Sequence, residues 1–108
     1  MTLGEYQKAA ARTINPMLVR PEAHALYGLA SEVGELLGIY QKALQGHTDT
    51  EEHRQKEVGD ILWMVAEYCT SQGWDMDMVA EMNISKLQAR YPDGFEVDKS
   101  IHRNTGDV

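Results

Sequence analysis

Two short acidic motifs of the same form stand out in this sequence. Glu32 and Glu35 flank a Val-Gly pair, and after a gap of 21 residues Glu57 and Asp60 flank another Val-Gly pair. The carboxylates within each motif are three residues apart, so a helix would present both on one side. Oxygen ligands favour hard divalent cations, Mg²⁺ or Mn²⁺. The spacing therefore indicates a metal site formed by four carboxylates.

These carboxylates lie on helix faces that are otherwise apolar. On a helical wheel Glu32 is centred among Leu29, Leu36 and Ile39, and Glu57 among Ile61, Met64 and Tyr68. One Glu at such a position is more often a surface residue out of phase with the apolar stripe. Two pairs at equivalent positions favour function, because burying unpaired carboxylates costs several kcal/mol of hydration.

Other metal chemistries are disfavoured by the residue types. Cys69 is the only cysteine, which excludes an intramolecular disulfide and a cysteine-based zinc site and favours a reducing cytoplasm. No Glu-x-x-His motif occurs, which argues against a di-iron carboxylate bundle.

Apolar periodicity predicts four helices and no strand, hence an all-α bundle with two long central helices between two shorter ones. The predicted helices run from Thr2 to before Asn15, from Arg20 to Gly46, from a cap among residues 48–50 to Gln72, and from Asp75 to before Tyr91. Antiparallel packing of the central pair would bring the acidic motifs together. Residues 91–108 are expected to form a non-helical tail that frays after Arg103. The whole chain, 1–108, is expected to be one domain.

The charge and hydropathy of the chain limit its partners. There are 10 Lys and Arg against 17 Asp and Glu, a net charge of −7. We expect no nucleic-acid partner, because phosphate backbones bind basic faces. No apolar run approaches the length of about 18 residues that a membrane span needs, so no membrane association is expected.

The sequence closely resembles the MazG-like all-α nucleoside triphosphate pyrophosphohydrolases, in their compact single-domain branch. The two acidic motifs with their spacing carry this resemblance, together with a later segment that begins Asn83-x-x-Lys86-Leu and continues to Arg90-Tyr-Pro. The resemblance extends from Tyr6 to Arg103.

The resemblance implies Mg²⁺-dependent hydrolysis of a nucleoside or deoxynucleoside triphosphate between its α- and β-phosphates, with Mn²⁺ as a possible substitute. The matching metal ligands are Glu32, Glu35, Glu57 and Asp60, and the matching phosphate contacts are Asn83, Lys86 and Arg90. Family members typically form dimers or tetramers whose clefts draw residues from more than one subunit, so a homodimer or homotetramer is expected.

Three side chains have further candidate roles. Glu35 is our candidate general base, since a carboxylate not saturated by metal can accept a proton from water. The Lys86 ammonium would stabilise charge on the departing pyrophosphate. Trp63 either stacks on a nucleobase or fills a second packing surface, and the sequence leaves both open.

Two glycines inside the second helix suggest a close neighbour. Gly34 and Gly38 lie with Ala30 on the face opposite Glu32, and each glycine costs roughly 1 kcal/mol relative to Ala. Close approach of the first helix or of a second subunit would offset this cost.

Two alternative functions also remain: hydrolysis of another phosphorylated substrate, such as a nucleotide sugar or phosphoribosyl compound, and a non-catalytic, metal-stabilised helical interaction protein.

Overall fold

A computed structural model of the chain describes residues 1–103 and 106–108. The helices are α1 (Leu3–Ala11), α2 (Pro21–Leu44), α3 (Glu51–Gln72), α4 (Met76–Arg90) and α5 (Val97–Ile101). The described residues contain no β-strand, only an isolated bridge between Pro92 and Gly94. The all-α prediction with two long central helices is therefore confirmed. None of these helices combines the length and apolar character that crossing a membrane requires.

Local capping determines where the helices begin and end. Thr2, Thr50 and Asp75 each accept a hydrogen bond from a backbone amide two or three residues ahead, at 2.8 to 3.1 Å. These bonds satisfy amides that lack partners in the first turn of α1, α3 and α4. Pro21 occupies the first turn of α2, and Gly73 ends α3 with a φ of 73°.

The C-terminal segment corrects one prediction. Residues 91–108 were expected to be non-helical, but Val97–Ile101 forms α5. Asp98 in its first turn lies 2.9 Å from His102, an i, i+4 pair that supports a single helical turn. The fraying expected beyond Arg103 falls partly on residues 104 and 105, which lie outside the described residues.

The long helices α2 and α3 pack antiparallel along much of their length. His24 near the start of α2 hydrogen bonds Glu67 near the end of α3, and Glu32 lies opposite the second acidic motif. Between these points the missing side chain of Gly28 makes room for the Met64 thioether, which a Cβ at that position would contact closely. This register brings the two acidic motifs to the same level of the helix pair.

A small core where three helices meet fixes α1 and α4. It is formed by the buried residues Ala66, Cys69 and Met76, with Tyr6, Ala10, Leu62 and Val65 packed around them. The Gln7 side chain of α1 accepts from the Met76 amide at 2.9 Å and donates to the Trp74 carbonyl at 2.8 Å. As a result α4 packs mainly against α1, and α1 packs against α3.

Candidate metal centre and substrate groove

Three carboxylates from two helices converge between α2 and α3. Glu32 extends from α2, Glu57 and Asp60 extend from successive turns of α3, and all three are half-buried. One oxygen from each lies within 4.8 Å of the others. We call these three residues the acidic cluster. The antiparallel register explains it, because the i, i+3 pair on α3 faces the carboxylate on α2.

The acidic cluster carries more negative charge than its neighbours neutralise. Desolvation raises the pKa of Glu32, and the charges of Asp60, Glu57 and Glu35 raise it further. His53 Nε2 lies 3.4 Å from Glu57 Oε1, and within residues 1–103 and 106–108 this is the cluster's single contact of salt-bridge length with a basic side chain. A bound divalent cation would relieve this repulsion.

The donor set of the acidic cluster fits a hard divalent cation. One oxygen from each of the three carboxylates lies within 4.8 Å of the others, so a single ion could be held by all three. An all-oxygen set also matches the preference of Mg²⁺ and Mn²⁺ rather than that of softer metals.

Of the four predicted ligands, Glu35 lies apart from the other three. It follows Glu32 by one turn of α2, its side chain is exposed, and it does not belong to the acidic cluster. It remains close enough for its charge to raise the pKa of Glu32. The structure therefore brings together Glu32, Glu57 and Asp60 and leaves Glu35 at the edge.

A groove between α1 and α3 opens beside the acidic cluster. Its volume is about 660 Å³, within the usual range for small-molecule sites. The lining residues are Tyr6, Ala9, Ala10, Thr13, Lys56, Gly59, Asp60 and Trp63. The Trp63 indole N–H donates to Thr13 Oγ1 at 2.8 Å, which holds the ring edge against the turn that follows α1. Burial and the Asp60 charge raise the pKa of the Tyr6 hydroxyl.

The predicted phosphate contacts lie on α4, and two of the three have other partners. Lys86 donates to the backbone oxygen of Val108 at 2.5 Å, and Arg90 donates two hydrogen bonds of 2.7 Å to the Asp107 carboxylate. Asn83 is exposed. In the described part of the chain none of the three hydrogen bonds or ion-pairs with the acidic cluster, because α4 packs mainly against α1.

Sequence reasoning missed a hydrogen bond between the long helices that involves a buried carboxylate. Glu67 is 3% exposed, and its Oε1 lies 2.6 Å from His24 Nδ1. A signal was present, because Glu67 follows Asp60 by seven residues and shares its side of α3. Tyr6 was also missed as a neighbour of Asp60, since its place depends on how α1 docks onto α3.

Comparison with known proteins identifies the family. The sequence model of the MazG nucleotide pyrophosphohydrolase domain family matches residues 20–95, which include the acidic cluster and all of α4. The Gene 37 protein of Mycobacterium phage L5 is 29% identical over 90 residues, a stretch that covers 79% of this chain and 74% of that protein. No solved structure matches. The chain belongs to the MazG nucleotide pyrophosphohydrolase domain family.

Proposed function

We propose that this protein hydrolyses nucleoside or deoxynucleoside triphosphates at the α–β phosphate bond, with Mg²⁺, giving the monophosphate and pyrophosphate. The observation that carries the proposal is the acidic cluster, whose oxygens lie within 4.8 Å of one another and where desolvation, together with the charges of Asp60 and Glu57, raises the pKa of Glu32. A site of this kind favours a divalent cation, and Mg²⁺ held by carboxylates commonly binds substrate phosphates. Family membership supplies the class of reaction.

The metal would be held by Glu32, Glu57 and Asp60, with Mn²⁺ as a substitute. When bound, it would polarise phosphoryl oxygens and lower the pKa of a water molecule. Glu35 either completes the ligand set or accepts the proton of the attacking water, since its exposed carboxylate lies one turn from Glu32. Glu35→Gln separates these roles: a base variant loses turnover but keeps thermal stabilisation by Mg²⁺, whereas a ligand variant loses both.

The nucleoside would bind in the groove between α1 and α3. Asp60 belongs to both the acidic cluster and the groove, so phosphates at the cluster would place the attached nucleoside beside Trp63 and Tyr6. Flat aromatic rings stack on any nucleobase, whichever base it is. The hydrogen bond from Trp63 to Thr13 would restrict the orientation of the indole in advance of binding.

The β- and γ-phosphates would contact Asn83, Lys86 and Arg90 on α4. Lys86 would donate hydrogen bonds to the departing pyrophosphate and stabilise its developing charge. Arg90 has the planar fork that binds phosphate through two parallel hydrogen bonds. Since these residues are not bonded to the acidic cluster within the described part of their own chain, we infer that a cluster on a second copy is their partner.

A homodimer or homotetramer would provide that second copy. The radius of gyration is 17.2 Å, against about 13 Å for a compact domain of this length. Large apolar side chains on three helices are more than half exposed, namely Leu37, Tyr40, Val58, Met82 and Ile84. In addition, no described atom lies within 4 Å of a Cβ built at Gly34 or Gly38, so α1 does not cover that face.

Mixing two variants that are each impaired at limiting substrate concentration tests the shared site. Glu57→Gln disables the acidic cluster and Arg90→Ala disables the phosphate contact. If a dimer combines them from different chains, co-expression restores one intact site in each mixed dimer, or about a quarter of wild-type activity with random pairing. The absence of any restoration in purified mixed dimers would mean that each site is built within one chain.

A substrate panel tests the reaction itself. Purified protein is incubated with Mg²⁺ and each (d)NTP, and the monophosphate, pyrophosphate and orthophosphate are quantified by chromatography. We expect equal amounts of monophosphate and pyrophosphate, loss of activity with EDTA, and loss in Glu32→Gln but not in the matched exposed variant Glu81→Gln. Orthophosphate release would contradict α–β cleavage.

The same panel separates the alternative functions. Nucleotide sugars and phosphoribosyl pyrophosphate are included, and hydrolysis of these with inert triphosphates would identify a different phosphorylated substrate. Strong thermal stabilisation by Mg²⁺ with no turnover on any compound would instead indicate a metal-stabilised interaction protein.

A further inference from the structure

The last described residues of the chain bind the two cationic side chains of α4. Lys86 and Arg90 are four residues apart, so they lie on the same side of the helix. Arg90 Nε and Nη2 donate to Asp107 Oδ2 and Oδ1, each at 2.7 Å, and Lys86 donates to the Val108 backbone oxygen. We call Lys86 and Arg90 the cationic pair.

The contact is well shielded from solvent. The side chains of Arg90 and Asp107 are each 11% exposed, whereas the Asp98–His102 pair of α5 is 74% exposed on both sides. The hydrogen bonds from Arg90 lower the pKa of Asp107, and the charges of Arg90, Arg103 and Lys86 lower it further. Asp107 is therefore held as a carboxylate at neutral pH.

The Asp107 carboxylate occupies the cationic pair as a phosphate would. Two carboxylate oxygens receive two parallel N–H groups of one guanidinium, and phosphate oxygens bind arginine in the same fork. An oxyanion from outside cannot form those two bonds while Asp107 holds them.

We propose that Asp107 is an internal competitor for an oxyanion site formed by Lys86 and Arg90, so that the phosphates of a nucleotide bind the pair only after Asp107 leaves it. The inference rests on the proposed function in taking nucleotide phosphates as the competing ligand. An internal competitor lowers the apparent affinity in proportion to the fraction of molecules in which the site is free. The affinity of the enzyme for substrate and for pyrophosphate is thus set partly by residue 107.

Calorimetric titration with pyrophosphate tests the competition without requiring turnover. The wild-type chain, Asp107→Asn and Arg90→Ala are compared at one ionic strength, with Mg²⁺ and again with EDTA. If Asp107 occupies the pair nine-tenths of the time, Asp107→Asn binds pyrophosphate about tenfold more tightly. Arg90→Ala binds it more weakly than the wild type, and Asp107→Glu, which keeps the carboxylate, stays close to the wild type.

A matched variant separates competition from net charge. Asp98→Asn removes the same charge from the same segment, but Asp98 is bonded to His102 and not to the cationic pair. Pyrophosphate affinity in Asp98→Asn should change by much less than in Asp107→Asn. Equal gains in both variants would reduce the effect to general electrostatics and overturn the proposal.

Thermal denaturation excludes a purely structural role. If the contact only anchors the chain to α4, Asp107→Asn lowers the Tm and leaves pyrophosphate affinity unchanged or weaker, which would also overturn the proposal. Failure of the proposed function looks different. In that case no triphosphate is cleaved by any variant, yet the comparison of Asp107→Asn with Asp98→Asn still decides whether Asp107 competes for the anion site.

Discussion

The acidic cluster and the cationic pair are both local concentrations of like charge, but they differ in how far neighbouring side chains neutralise them. In the cluster three carboxylates face one another across α2 and α3, and the His53 imidazole is their basic neighbour in the described structure. In the cationic pair, Arg90 is neutralised by Asp107 through two short hydrogen bonds. In the described residues one histidine contacts one of the three carboxylates of the first region, whereas the guanidinium of the second region is already paired with a carboxylate.

This difference indicates how each region would respond to ligands. Adding a cation to the acidic cluster removes repulsion that the fold otherwise sustains, so binding should stabilise the protein. Adding an anion to the cationic pair replaces bonds that already exist, so binding should contribute little stability. In the proposed site, binding of Mg²⁺ would therefore stabilise the protein, whereas binding of the phosphates would change its stability little.

The largest expected effect comes from removing a ligand of the acidic cluster. We expect Asp60→Asn to lower kcat/KM by more than about 100-fold, beyond the 10–100-fold typical of residues that only support ligands. Arg90→Ala should act mainly by raising KM. Steady-state kinetics on the best triphosphate of the panel measure both. A comparable loss of kcat in the two variants would mean that the regions do not divide metal binding from phosphate binding.

The elements of the fold could be predicted because their signals are local. Thr2, Thr50 and Asp75 are capping residues followed by apolar residues at helical spacing, and each begins a helix as expected. The five-residue helix α5 was missed because a single turn contains too few residues to show a period. Only the i, i+4 pair of Asp98 and His102 marks it.

Only the part of the site that depends on the position of each residue around its own helix could be predicted from the sequence. The approach of Glu32 to Glu57 follows from their central positions on two antiparallel helices. Glu35 and Asp60 each lie three residues further along, at equivalent edges of their apolar stripes, yet only Asp60 belongs to the acidic cluster. The helical wheel alone could not separate these two residues. The pairing of Arg90 with Asp107 spans 17 residues and depends on the path of the chain around α5, which no local pattern encodes.

Glu67 provides a further comparison, because this buried carboxylate has a hydrogen-bond partner, His24. Glu67 is 3% exposed and bonded to His24, so His24→Ala should lower the free energy of unfolding by about 1–3 kcal/mol by leaving a buried acceptor unpaired. The control His102→Ala removes an exposed histidine and should change stability by less than about 0.5 kcal/mol. Equal effects in urea denaturation would mean that burial of Glu67 does not depend on His24.

The open face of α2 should respond differently in the monomer and in an oligomer. Gly38→Ala should stabilise the dilute monomer by about 1 kcal/mol, because Ala favours helix and no described atom is near the new methyl group. If a second copy packs on this face, the same substitution weakens association. Sedimentation and thermal melts over a concentration series measure both effects. A stability gain that is the same at every concentration would exclude a partner from this face.

The smallest effect returns to the acidic cluster without metal. Because the folded pKa of Glu32 is raised, the folded state holds its proton more tightly than the unfolded state does. Stability therefore falls as pH rises from the unfolded pKa through the raised one. In EDTA, Glu32→Gln should raise the Tm slightly, and the gain should grow between acidic and neutral pH.

Excess Mg²⁺ should reverse that order, because the wild type then gains a ligand that Glu32→Gln binds poorly. Thermal melts of both proteins from pH 4 to pH 8, with EDTA and with Mg²⁺, measure the change. The exposed variant Glu81→Gln serves as the control and should follow the wild type in both series. If Glu32→Gln were the less stable protein in EDTA at neutral pH, repulsion within the acidic cluster would not destabilise the metal-free protein, and this explanation of cation binding would be wrong.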